Sequence, residues 1–132
     1  MSAVAIIRAL LVNHAPLAAL VPPERIEAGD VSLDMLPAIG IREVGAVEQD
    51  TVARAGNSLV KARVQVTVYA ESYPQQKTIL RAAKLGTGVF TGQIAGFAVR
   101  SVLRAGIGPD MGNPAIPTFE QSRDFMVAYI EP

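Results

Sequence analysis

The segment Lys61–Ala70 alternates without a break, with Ala62, Val64, Val66 and Val68 on one face and Arg63, Gln65, Thr67 and Tyr69 on the other. Successive side chains of a strand point to opposite sides, so this pattern predicts a strand with one apolar and one polar face. Such a strand is not stable alone. It needs neighbouring strands for its backbone and a second layer over its apolar face.

The flanking sequence supplies both. Ala38–Val47 alternates imperfectly: Ile39 and Ile41 share one face, Val44 and Ala46 the other, and a bulge near Arg42–Gly45 reconciles them. Ala95–Arg104 places Phe97, Val99 and Leu103 on one face. Phe119–Ile130 begins polar and ends with apolar residues on both faces, which predicts cover on both sides there. Arg25-Ile26-Glu27 fits a short edge segment, and the glycines and prolines of Gly106–Pro117 predict a long irregular connection.

Two helices are expected. Ser2 can cap one in which Ala3, Val4, Ile6, Ile7, Leu10 and Leu11 follow helical spacing, and Pro16 ends it before a short turn at Leu17–Leu20. Ser72 and Gln75 form a capping box for the other, which points Ile79, Leu80 and Ala83 inward and Lys77, Arg81 and Lys84 outward, with Gly86 at its end. The fold class expected is α+β: a mostly antiparallel four- to five-stranded sheet with two main helices packed on one face. The 132 residues form one domain, 1–132, with a long flexible loop at 48–60.

Composition narrows the chemistry. Twelve basic residues balance twelve acidic ones, so net charge gives no general reason to bind nucleic acid or an anionic membrane. Cysteine is absent, which removes disulfides, thiolate catalysis and thiolate metal sites. The single histidine, His14, sits at a helix end without a nucleophile elbow to serve, and one histidine does not make a transition-metal site. Asp30, Ser32 and Asp34 lack the glycine and terminal glutamate of a calcium loop, and Lys84–Gly88 ends a helix where a phosphate loop would open one. Lys77, Arg81, Lys84, Arg100 and Arg104 make a weak basic patch with no RNA-binding aromatic motif beside it. No catalytic, cofactor-binding or metal-binding residue is assigned. The expectation is a protein that is not an enzyme and uses no cofactor. The apolar stretch Ala3–Val12 is too short to span a bilayer and lacks a signal layout, which predicts a soluble intracellular product.

An apolar first helix and a doubly apolar last strand are more than a monomer of this size covers easily, which predicts self-association. The candidate subunit interface is Ile7, Leu11, Phe125, Val127 and Tyr129.

The order of elements resembles a known family. An apolar helix over Ala3–Asn13, a Pro-Leu-Ala-Ala-Leu turn, a strand opening at Leu36–Ile39, a long loop, then Arg63-Val-Gln-Val-Thr-Val-Tyr-Ala70 leading into a helix at Ser72-Tyr73, and a closing strand Phe125–Ile130 are similar to the tail terminator, or tail completion, proteins of long-tailed bacteriophages and prophages. The resemblance covers nearly the whole chain. It implies a structural virion protein forming a ring, usually a hexamer, at the head-proximal end of the tail tube. Such a ring stops tube polymerisation and offers the head–tail joining surface. The implied partners are further copies of the chain, the tail tube protein and the head–tail connector protein, with DNA only passing through the lumen and no membrane. The implied location is the virion tail, assembled in the host cytoplasm. A head–tail connector or minor tail protein is the alternative, and a small dimeric ligand-binding α+β domain a more distant one. Within the ring reading, Glu48, Asp50, Arg54 and Asn57 form a candidate lumen- or tube-facing loop. Together with Glu43 the loop and its entry carry net negative charge, which repels DNA phosphates and lets DNA slide.

Overall fold

A computed structural model of the chain describes residues 2–29, 31, 34–49, 58–85, 90–113 and 118–131. Its organising element is the third strand, β3 (Ser58–Ala70), which pairs antiparallel along both edges. On one side lies β2 (Ala38–Gln49), and on the other β7 (Thr118–Glu131). Val60, Ala62, Val64, Val66, Val68 and Ala70 are all buried on one face. On the opposite face Lys61 and Arg63 are exposed, and Gln65, Thr67 and Tyr69 are half-buried. The register sets Val64 opposite Phe125, Ala62 opposite Val127 and Val60 opposite Tyr129, so the apolar residues of the two strands share the buried side.

Among the described residues the sheet has seven strands in the order β1-β2-β3-β7-β5-β4, with β6 also paired to β7. Strand β5 (Phe97–Ile107) and the three-residue β6 (Met111–Asn113) pair with successive stretches of β7, and β4 (Gly92–Ile94) turns back on the start of β5. The first strand, β1 (Ile26–Ala28), runs parallel to Ile39–Ile41 of β2, because the connection from Ala28 to Ala38 carries the chain back to the same end. This corrects the expected fold class. The protein is mostly strand, at 53% of the described residues, and its sheet is curled, mixed and seven-stranded. It is not a mostly antiparallel sheet of four to five strands with two packed helices. Three of the strands are three residues long, too short to show a period, and β6 lies in the stretch expected to be irregular.

Helical content is small. Helix α1 (Ser2–Val12) buries Ala3, Val4, Ile6, Ile7 and Leu11, and the four-residue α2 (Ala15–Ala18) buries Leu17. The one cation of α1 is used locally: Arg8 Nε donates to the Ile26 carbonyl at 2.9 Å and a guanidinium nitrogen to that of Pro23 at 3.3 Å. These bonds hold the entry to β1 against α1. Helix α3 (Tyr73–Ala82) starts at Ser72, whose hydroxyl accepts from the Gln75 N–H at 3.3 Å. Gln75 reaches back one residue further than a capping box requires and accepts from the Glu71 N–H at 2.8 Å. Ile79, Leu80 and Ala83 point into the core. Gly86 lies outside the described residues.

Several boundaries move. β2 runs to Gln49 and β3 begins at Ser58, so the expected loop at 48–60 shortens at both ends; its remainder, 50–57, lies outside the described residues. A register shift between Glu43 and Gly45 falls where the bulge was expected. On β7 the expectation of cover on both faces is corrected. Phe125, Val127 and Tyr129 are buried under the helices, whereas Met126, Ala128 and Ile130 on the other side are only half-buried.

Burial this complete makes Phe125 a stability determinant. Phe125→Ala is expected to lower unfolding free energy by about 3–5 kcal/mol, while Leu103→Ala on the exposed half of β5 changes it by less than about 0.5 kcal/mol. Urea unfolding followed by far-ultraviolet circular dichroism measures both.

Candidate assembly surface

The residues proposed from sequence as a subunit interface are core residues of the single chain. Ile7, Leu11 and Val127 are 0% exposed, Phe125 1% and Tyr129 3%. For Phe125, Val127 and Tyr129 burial follows from register, which turns them to the side where the valines of β3 also point, and Ile7 and Leu11 belong to the helix α1 that packs into the same core. Tyr129 further stacks edge-to-face on Phe97, with ring centroids 5.7 Å apart. These five side chains therefore hold the subunit together. Of the candidate lumen loop, Glu48 is exposed near the end of β2, opposite Val60. Asp50, Arg54 and Asn57 lie outside the described residues.

The exposed apolar residues are a different set. Val44 and Val47 on β2 are 51% and 61% exposed, and Leu103 and Ile107 on β5 are 47% and 56% exposed. Sequence reasoning placed Leu103 on one face with Phe97 and Val99. A bulge between Val99 and Ser101 shifts the alternation, so that Val102 is buried and Leu103 faces outward. The visible signal was Val102, an apolar residue on the face opposite the one that holds Leu103 in strict alternation.

The helix-free face of the sheet is polar and self-compensated at its centre. Arg63 Nε donates to Asp124 across the β3–β7 pair at 2.8 Å, and Gln65 donates to the Ser122 hydroxyl at 3.4 Å. Two shallow depressions mark this face. One of about 430 Å³ is bordered by Arg42, Thr67, Tyr69 and Glu120, and one of about 270 Å³ by Lys61, Ser101, Leu103 and Met126. On the other side, Leu10, Asn13, His14, Phe90 and Ile94 border a groove of about 330 Å³ beside α1.

A third feature ties α3 to the segment between β5 and β6. Asp110 accepts from the Tyr73 hydroxyl at 2.7 Å and from Lys77 Nζ at 2.6 Å. Lys77 also donates to the Gln121 side-chain oxygen at 2.8 Å, and the Gln121 amide donates to the Gly108 carbonyl at 2.8 Å. The Lys77 hydrogen bond, followed by that of Tyr73, lowers the Asp110 carboxyl below its ordinary value; the same bond to Asp110 raises the Lys77 ammonium above its own. Lys77 also lies 5.0 Å from the Tyr73 ring centroid. Of the basic patch seen in sequence, Lys77 is thus spent on a structural latch, while Arg100 and Arg104 are exposed on β5.

Beneath α3 the interior is less well satisfied. Gln76 is fully buried with neither side-chain amide atom hydrogen-bonded, and Arg123 Nε is likewise buried without an acceptor. Burial, with the nearby Arg104 charge adding to it, lowers the Arg123 pKa, yet a guanidinium remains charged at neutral pH. Sequence reading left Gln76 unassigned. Its place one helical turn before Ile79 and Leu80 put it on the inward stripe. Among the described residues, no three His, Cys, Asp or Glu side chains come together as a metal site would require. Among the described residues, no helix is long and apolar enough to cross a membrane.

The fold is thus a curled sheet covered on one side by short helices, with an open polar face and long exposed strand ends. That architecture has a close structural counterpart. The chain superposes on a chain from the "Virion of native gene transfer agent (GTA) particle" with a TM-score of 0.65, covering 96% of this chain and 93% of that one at 11% sequence identity. At that identity the likeness is one of fold. A scan against protein-family models finds no match, and a search of curated proteins finds none either.

Two outcomes check this description. Because the Asp110 pKa is lowered, the latch persists on acidification below the ordinary carboxylate range and is lost as pH falls through that lowered value; because the Lys77 pKa is raised, its contribution is lost only as pH rises above the ordinary lysine value. Asp110→Asn should speed hydrogen exchange at the Gly108 amide at neutral pH, as measured by NMR. Gln76→Leu, which removes an unsatisfied amide of similar size, is expected to stabilise the protein by about 1–3 kcal/mol in urea unfolding.

Proposed function

We propose that this protein is a structural component of a phage-like virion: a ring-forming tail terminator that caps the head-proximal end of the tail tube. The observation that carries the reading is the fold likeness to a gene transfer agent virion chain, which extends over nearly the full length of both proteins. The sequence resemblance to tail terminators points the same way, from the order of elements in this chain. The surface also suits an assembly role. Val44, Val47, Leu103 and Ile107 are exposed on β2 and β5 toward the two sides of the sheet, while its centre pairs Arg63 with Asp124 and Gln65 with Ser122.

In this reading the chain does no covalent chemistry and carries no cofactor. It forms a closed cyclic ring, a hexamer by the resemblance, whose heterologous contacts use two different surfaces of each copy. One rim binds the tail tube protein and halts its polymerisation. The other receives the head–tail connector, and DNA passes through the lumen.

Light scattering after size exclusion, with and without purified tail tubes, tests this. The expected result is a closed species of six subunits or, in the presence of tubes, protein bound only at tube ends by negative-stain microscopy. A concentration-independent dimer that ignores tubes would overturn the proposal.

A further inference from the structure

The sheet has two long edges that no strand of the chain covers among the described residues. Beyond Ile41, the outer side of β2 carries no strand, and Arg42 through Gln49 are all exposed. Beyond Val99, the outer side of β5 likewise carries none, since β4 stops there. Each edge is eight residues long, and each presents large apolar side chains to solvent, including Val47 on β2 and Leu103 on β5. A long exposed edge is a template for pairing with another chain, and folds that do not use such an edge normally cover it or break it up.

The two edges match each other in direction. β2 is antiparallel to β3, β3 to β7, and β7 to β5, so the outer strands of this four-strand block run in opposite senses. Rotating a second copy about an axis along the strands preserves these senses. The β5 edge of one copy then meets the β2 edge of the next antiparallel, and the sheet continues from subunit to subunit.

They are complementary in charge as well. The β2 edge holds Glu43 and Glu48 against Arg42, whereas the β5 edge holds Arg100 and Arg104 and no carboxylate. Following the register across the sheet, Glu43 is level with Val64, Phe125 and Arg104. Glu48 is level with Val60, Tyr129 and Val99, whose neighbour is Arg100. A copy docked without stagger therefore sets Glu43 directly opposite Arg104, while Glu48 falls opposite Val99, one residue from Arg100 at the register shift. Two β5 edges brought together would instead oppose arginines, which disfavours the isologous β5 pairing.

We infer that the β2 edge (42–49) of one copy pairs antiparallel with the β5 edge (100–107) of the next, making these two edges the subunit interface of the assembly. The inference rests on the ring reading above and names the contact that closes it. The charge pairs select the heterologous arrangement, and the exposed valines, Leu103 and Ile107 become buried in it.

Absence of cysteine in the chain makes the test clean. Val47 and Ser101 are level through Lys61 and Ala128, so Val47→Cys/Ser101→Cys should give a disulfide-linked ladder on oxidation, in solution or with tail tubes added, that collapses with reductant. Each single variant should stay unlinked. Arg104→Glu should raise the concentration for half-assembly by about tenfold, and adding Glu43→Arg should restore it, with circular dichroism confirming that each variant folds. A ring of defined mass that the double variant fails to link would overturn the edge contact and leave the ring reading intact. Linked dimers from Val47→Cys alone would overturn the heterologous arrangement in favour of β2 pairing with itself. Protein that stays monomeric and unlinked, tubes included, would overturn both.

Discussion

The structure depends on the register between β3 and β7. A one-residue slip in that pair would turn Phe125, Val127 and Tyr129 away from the helices and bring Met126, Ala128 and Asp124 under them. The penalty is severe because all of the fully buried apolar side chains of β3 and β7 sit on one side. The register thus decides at once which face α1 and α3 cover, where Arg63 finds Asp124, and which residues remain for contact with other molecules.

That last point separates core from contact surface in a way that apolar content alone does not. Ile7, Leu11, Phe125, Val127 and Tyr129 have the composition of an interface but are consumed inside the subunit. Among the residues left exposed, Val44 and Val47 sit at and beyond the shift at Glu43–Gly45 on β2, and Leu103 beyond that at Val99–Ser101 on β5. A bulge adds twist and re-aims the side chains beyond it, so the same local defect that bends an edge also chooses which residues it displays.

The legibility of the sequence follows the same physics. Strand β3, the bulge in β2, the Ser72 cap and the inward stripe of α3 could all be read, because each is a local pattern with a strict period or a specific hydrogen bond. The strand count and the mixed character of the sheet could not. Strands β1, β4 and β6 span barely one period, and the parallel pairing of β1 is a property of how the chain returns, not of its residues. The placement of Leu103 failed because one inserted residue inverts every assignment after it. The Tyr73–Lys77–Asp110–Gln121 latch was invisible for another reason: its members are 33 to 44 residues apart wherever they cross between elements, and only topology brings them together.

Position 40 has a consequence for the open face. Gly40 points away from the helices, and a Cβ there would lie 2.7 Å from the Val31 side chain and 3.6 Å from the Tyr69 ring. The missing methyl is what lets the chain leaving β1 lie down over this corner of the sheet, where the Gly29 N–H also donates to the Ile41 carbonyl at 2.8 Å. The Val31 side chain, with the Gly29 carbonyl behind it, occupies that corner. The helix-free side is therefore lopsided: Val31 covers β2 at Gly40 while Arg42–Gln49 of the same strand stay exposed, and a single hydrogen atom at position 40 leaves room for that cover.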